Sequence, residues 1–171
     1  MNRLLAALLL IILVVPLTCY AQITVGGGAK LVGEVPFLIA NIIWGPVGAE
    51  AGVGMNSSGI LGYSLSYFWY SANGKVYIFI PSLRAYLGAG IIGIKVTASV
   101  LDQTGSGSSI GVDVLGGLEF PLGSYGIPLT VFGGIDWLMF SNLTVSIAGQ
   151  HIEFPLDVSG LSFHVGIRLE F

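Results

Sequence analysis

Leu161-Ser162-Phe163-His164-Val165-Gly166-Ile167-Arg168-Leu169-Glu170-Phe171 alternates without a break. Leu161, Phe163, Val165, Ile167, Leu169 and Phe171 form one face, and Ser162, His164, Gly166, Arg168 and Glu170 form the other. Strand side chains point to opposite sides with period two, so this segment shows an oily face one way and a charged face the other. Its length matches the roughly 9–11 tilted residues with which a strand crosses a bilayer. The segment therefore predicts a wall strand of a barrel in lipid, and the remaining strands have to agree with it.

Composition points the same way. Only 9% of residues are charged and mean hydropathy is +0.88, whereas an ordinary soluble domain carries about 25% charged residues. The chain opens Met1-Asn2-Arg3, runs apolar from Leu4 to Val15 and reaches Cys19-Tyr20-Ala21. A positive start, a short apolar run and a small residue before the cut describe a secretory signal peptide over residues 1–21, cleaved before Gln22. One domain, residues 22–171, is then expected, with no further domain after Phe171. Cys19 is the single cysteine, so the mature chain has no disulfide. Without Arg3, five Lys/Arg face nine Asp/Glu, a net charge of −4 that offers no footprint for nucleic acid.

Spanning helices are excluded by pattern. The best candidate after the signal, Pro36 to Val53, is interrupted by Asn41, Gly45-Pro46, Gly48, Glu50 and Gly52, where a spanning helix needs about 20 apolar residues. Alternation instead predicts eight strands, near 23–31, 37–44, 49–56, 63–80, 83–94, 110–120, 129–140 and 161–171. An even count closes an antiparallel up-and-down transmembrane β-barrel, all-β in class, with short turns on the periplasmic side and longer outer loops. Those turns are expected at Gly45–Gly48, around Pro81 and at Pro121–Pro128. The outer loops are expected near Gly33–Pro36, Ser57–Gly62, Thr97–Ser109 and Ser141–Gly160. Trp44, Phe120 and Phe171 fall on the lipid side at the periplasmic ends of their strands, where an aromatic girdle belongs.

In the same register Lys30, Lys75, Arg84 and Arg168 point inward, together with Glu50, Asp113, Glu119, Asp136, Glu170 and His164. Buried charge is tolerated when paired and hydrogen-bonded, and eight strands leave a bore just wide enough for side chains to fill. The interior is thus expected to be a polar plug.

Ser82-Leu83-Arg84-Ala85-Tyr86-Leu87-Gly88-Ala89-Gly90, Val114-Leu115-Gly116-Gly117-Leu118-Glu119-Phe120 and Gly166-Ile167-Arg168-Leu169-Glu170-Phe171 resemble the small eight-stranded outer-membrane barrels of the OmpA/OmpX kind. The resemblance covers the whole mature chain. It implies an outer-membrane location, contact with outer-membrane lipid, and insertion by the barrel-assembly machinery, which in such proteins reads a closing strand ending in an aromatic, here Ile167, Leu169 and Phe171. It implies no single activity, since barrels of this kind serve as anchors, adhesins, lipid enzymes and small conduits.

Candidate chemistry is sparse. Gly88-Ala89-Gly90-Ile91-Ile92-Gly93 fits G-x-G-x-x-G, but Ile94-Lys95-Val96-Thr97 continues as strand where a dinucleotide site needs a helix. Ser162 and His164 share a face at a separation of roughly 7 Å, beyond direct nucleophile–base contact. No metal-ligand spacing is present, and no cofactor or enzymatic activity is expected. Leu143, Val145 and Ile147, then Ile152, Phe154, Leu156 and Val158, predict a hairpin over 142–158 that rises beyond the bilayer and offers a surface partner a strand edge. The expected function is a structural or surface-interaction barrel. A conduit for small apolar molecules, a lipid-modifying enzyme and a soluble lipocalin-type barrel are its alternatives.

Overall fold

The structure, a computed structural model, describes residues 23–60, 63–100, 103–141, 143–147, 150–154 and 159–171. The expected signal peptide lies outside the described residues. Ten strands follow one another: β1 (Ile23–Val32), β2 (Val35–Trp44), β3 (Val47–Ile60), β4 (Tyr63–Ile80), β5 (Leu83–Val100), β6 (Gln103–Pro121), β7 (Leu129–Phe140), β8 (Leu143–Ile147), β9 (Gln150–Phe154) and β10 (Gly160–Glu170). Strands β1 to β7 pair in sequence order, β7 pairs β10, and β10 returns to β1. Every pairing is antiparallel, so eight strands close an up-and-down barrel whose wall has no edge. The last seam runs from Gly26 opposite Glu170 to Val32 opposite His164. Among the described residues no helix is long and apolar enough to cross a membrane; the crossing elements are strands.

The alternation of the closing strand holds around the wall. On β10, Leu161, Phe163, Val165, Ile167 and Leu169 are exposed, while His164 and Arg168 are buried. On β2, Leu38, Ile42 and Trp44 are exposed, while Phe37, Ile39, Asn41 and Ile43 are buried. A large exposed apolar surface of this extent on a closed barrel is a surface for lipid. Trp44, Phe120 and Phe171 are exposed at the end that carries the tight turns Gly45-Pro46 and Pro81-Ser82 and the 3-10 turn Gly123–Tyr125. Gly33 and Gly45 supply the left-handed backbone, φ 58 and 56, that two of the tight turns require.

Glycine also sets the bore. A side chain at Gly166 would place its Cβ 2.5 Å from Ala29 O and Phe132 Cζ and 2.8 Å from Lys30 Cβ. Two of those neighbours are backbone or stem atoms that cannot swing away. Gly166→Val should therefore abolish the heat-modifiable folded form on electrophoresis; a variant that migrates and unfolds like wild type would contradict this packing.

The outer end departs from expectation. Loops expected at Ser57–Gly62 and Thr97–Ser109 are largely strand: Ser57 pairs Ser66 and Ile60 pairs Tyr63, and Thr97 pairs Ser106 and Val100 pairs Gln103. Strands β5 and β6 consequently reach 18 and 19 residues, beside a β4 that has the 18 residues expected of it. Above the lipid the outer face turns to Ser, Thr and Gly, so composition there reads as loop although the ladder continues. On the opposite side β1 and β2 have only 10 residues each and turn at Gly33-Glu34. The barrel has one tall wall and one low one. Of the hairpin expected over 142–158, residues 143–147 and 150–154 pair as β8 and β9, with β8 carried on β6 in the place of β7, while the remainder, Leu156 and Val158 included, lies outside the described residues.

Candidate functional site

The bore holds every inward-assigned charge. Lys30, Glu50, Lys75, Arg84, Asp113, Glu119, Asp136, His164 and Arg168 are buried and Glu170 is half-buried. At the end that carries the tight turns Gly45-Pro46 and Pro81-Ser82, Arg168 donates from Nη1 and Nη2 to Glu119 Oε1 and Oε2 at 3.2 and 2.7 Å, a fork matched to a carboxylate. Its Nε donates to Glu170 Oε1 at 3.0 Å. Arg84 Nη2 donates to both Glu170 oxygens at 2.6 and 2.7 Å and to Thr130 Oγ1 at 3.1 Å. Arg84 Nε lies 3.3 Å from Glu119 Oε2 but without hydrogen-bond alignment, so that contact is charge pairing alone. Two guanidiniums and two carboxylates thus form a neutral four-membered cluster drawn from β5, β6 and β10.

A second cluster sits beside it. Glu50 on β3 accepts from Lys30 Nζ at 2.8 Å and from Lys75 Nζ at 2.6 Å, one oxygen for each lysine. Lys75 also lies 4.6 Å from the centre of the Tyr86 ring, a cation–π contact. The Tyr86 hydroxyl meets His164 Nε2. With Nδ1–H of His164 donating to Asp136 Oδ2 at 2.6 Å, both imidazole nitrogens are taken, neither by Ser162. Asn73 Nδ2 donates to Asp113 Oδ2 at 3.1 Å. Phe132 joins the groups, with Arg168 Cζ 5.5 Å and Lys75 Nζ 5.9 Å from its ring centre.

The expected polar residues line only part of the interior. Toward the other end the inward positions form an apolar cluster that includes Phe37, Ile39, Trp69, Ile92, Ile94 and Leu138. Period two could not separate these from charges, because it says which residues point inward and not which kind the bore accepts. Tyr86, Tyr77 and Thr130 belong to the network although they were not among its expected members; Tyr77 donates to Glu119 Oε1 at 3.3 Å. The signal was available for Tyr86, which shares the inward phase of Arg84 two residues earlier. Between the two sets, Asn41, Ser71, Asp113 and Asp136 each keep a buried polar atom without a partner among the described residues. No group of acids and histidines there is arranged to hold a metal ion, among the described residues.

No protein-family model matches the chain, and no curated protein sequence matches it. Solved structures do. The N-terminal β-barrel domain of Pseudomonas aeruginosa OprF superposes with a TM-score of 0.56 at 13% identity, covering 87% of this chain and 96% of that one. The chain has the fold of a small outer-membrane β-barrel. A major outer membrane protein of Thermus thermophilus gives a TM-score of 0.54 at 15% identity, covering 89% of this chain and 100% of that one. Neisserial surface protein A gives 0.54 at 13% identity, covering 88% of this chain and 96% of that one. The outer-membrane barrel fold is thus matched along nearly the whole of each neighbour at identities too low to carry residue roles across. In this barrel the apolar outer belt and the interior are complementary: Lys30, Lys75, Arg84 and Arg168 find Glu50, Glu119 and Glu170 as counter-ions in the bore, Asp113 has only the Asn73 amide, and Lys95 alone of the described Lys and Arg residues lies on the outer face.

Proposed function

We propose that the protein is an exported, integral outer-membrane barrel that transports no solute, catalyses no reaction and presents a strand edge at the cell surface. Export through the segment 1–21 delivers the chain to the periplasm. The assembly machinery then recognises the closing strand, with Ile167, Leu169 and Phe171 on its outer face, and Trp44, Phe120 and Phe171 anchor the periplasmic rim of the belt. The paired charges and the apolar cluster above them support a bore filled by side chains, so steps of ionic conductance in planar bilayers should be absent. Steady unitary steps from the folded protein would contradict a plugged interior and favour the conduit reading.

The observation that carries the surface role is the placement of β9. It pairs with β8 on one side, residue 143 opposite 154 through 147 opposite 150. Its other side pairs with no strand among the described residues. An unpaired edge held at the rim of a rigid wall is a template for strand addition by an extended segment of a partner. Removing residues 149–154 should abolish binding to the host or neighbouring cell surface while leaving the heat-modifiable barrel intact. Binding that survives the deletion would remove the adhesive role.

A further inference from the structure

The outer face of β3, β4 and β5 changes character in three rows. In the first, Val53, Tyr70 and Gly93 lie side by side, and in the second Met55, Phe68 and Lys95. In the third are Ser57, Ser66 and Thr97. Lys95 is the one cation on the outer face among the described residues, since Lys30, Lys75, Arg84 and Arg168 all point into the bore. The described carboxylates of the tall wall, Glu50, Asp113 and Glu119, are buried in the bore as well, so no described acid on β3–β6 neutralises Lys95 from outside. An open groove of about 710 Å³ runs along these rows, with Lys95 and the three hydroxyls in its lining and Met55 and Phe68 at its lower side.

The height of the groove decides what can occupy it. From Leu83, at the periplasmic end of β5, to Lys95 is a rise of roughly 28 Å at about 3.3 Å per residue and a tilt near 45°. That places Lys95 just above a lipid belt about 25 Å tall, at the depth of headgroup phosphates. Below it the face is aliphatic and aromatic, and above it only hydroxyls follow. A lysine at this depth extends its ammonium to the interface and keeps its stem against apolar surface.

We propose that this groove is a binding site for the phosphate of an anionic outer-leaflet lipid. Lys95 supplies the counter-charge, Ser57, Ser66 and Thr97 donate hydrogen bonds to phosphate oxygens, and Met55 and Phe68 pack against the first methylenes of the acyl chain. The site lies on the tall wall, apart from the β9 edge, so it stands or falls independently of the adhesive reading.

The test uses the folded barrel in detergent micelles, titrated with bisphosphorylated lipid A and read by native mass spectrometry. Lys95→Gln should weaken retention about fivefold, the worth of one interfacial lysine, whereas Lys95→Arg should stay close to wild type. Ser66→Ala combined with Thr97→Val should also weaken retention, which gives a second reading that leaves the charge in place. Dephosphorylated lipid A should bind wild type weakly and be indifferent to Lys95→Gln. Equal retention by wild type and Lys95→Gln would overturn the proposal, as would tight binding of the dephosphorylated lipid. Displacement of the lipid by equimolar inorganic phosphate would overturn it too, in favour of a free-phosphate site. Heat-modifiable migration of each variant establishes that the barrel is folded in every arm.

Discussion

Arg168→Met should lower the stability of the barrel in lipid vesicles by about 3–5 kcal/mol, read as a fall in the urea midpoint, because it breaks a buried ion cluster by removing one partner. Arg168 is fully buried and contacts both acids of its cluster, Glu119 through a fork and Glu170 through Nε. In its absence Glu119 keeps the Tyr77 hydroxyl at 3.3 Å and the misaligned Arg84 Nε at the same distance. Two carboxylates would then share one guanidinium. Arg168→Lys should fall between, since an ammonium restores the charge but cannot reproduce the planar fork. Adding Glu119→Gln to Arg168→Met should recover part of the loss, because it removes the orphaned charge. A single Arg168→Met variant as stable as wild type would mean that the cluster contributes nothing to the fold.

Glu50→Gln is expected to cost a similar 3–5 kcal/mol, and for a different reason. Its carboxylate is the hydrogen-bonded counter-ion of both Lys30 and Lys75, whose Nζ atoms lie 2.8 and 2.6 Å from its two oxygens. The substitution preserves shape, so packing is unchanged while two buried ammoniums lose their negative partner. The Tyr86 ring beneath Lys75 offsets only part of this, since a cation–π contact is worth about 2 kcal/mol when desolvated. Glu50→Gln with Lys75→Met should be more stable than Glu50→Gln alone. If the single variant unfolds at the wild-type urea concentration, the two lysines are stabilised by some other route and their pairing with Glu50 contributes nothing to the fold.

The sequence was legible wherever lipid stood on one side of the strand. Along Leu161–Phe171 every outward position had to be apolar and the inward ones were free to differ, so the alternation was unbroken and the charged residues fell inside. Legibility failed for two physical reasons. Above the bilayer both sides of the wall meet water or polypeptide, and Thr97–Ser109 loses the apolar-out mark although Thr97 through Val100 pairs with Gln103 through Ser106. Inside, the bore accepts Phe37 or Arg168 alike, because what matters there is the neighbour across the barrel. Lys30 meets Glu50 from a strand two places away, and Arg84 meets Glu170 across the closure of β5, β6, β7 and β10. Such pairings depend on register around the whole ring, which no single strand encodes.

The central claim is that the oily face of each strand meets acyl chains and the other face lines the bore. The three tryptophans test it without disturbing a charge: Trp44 and Trp137 are 61% and 56% exposed on the outer face, and Trp69 is 6% exposed inside. Variants retaining one tryptophan each, with Phe at the other two positions, would be folded into vesicles of brominated phosphatidylcholine. Strong quenching of Trp44 and Trp137 with weak quenching of Trp69 is the expected result. Trp69 quenched more strongly than Trp44 and Trp137 would turn the barrel inside out and contradict the assignment.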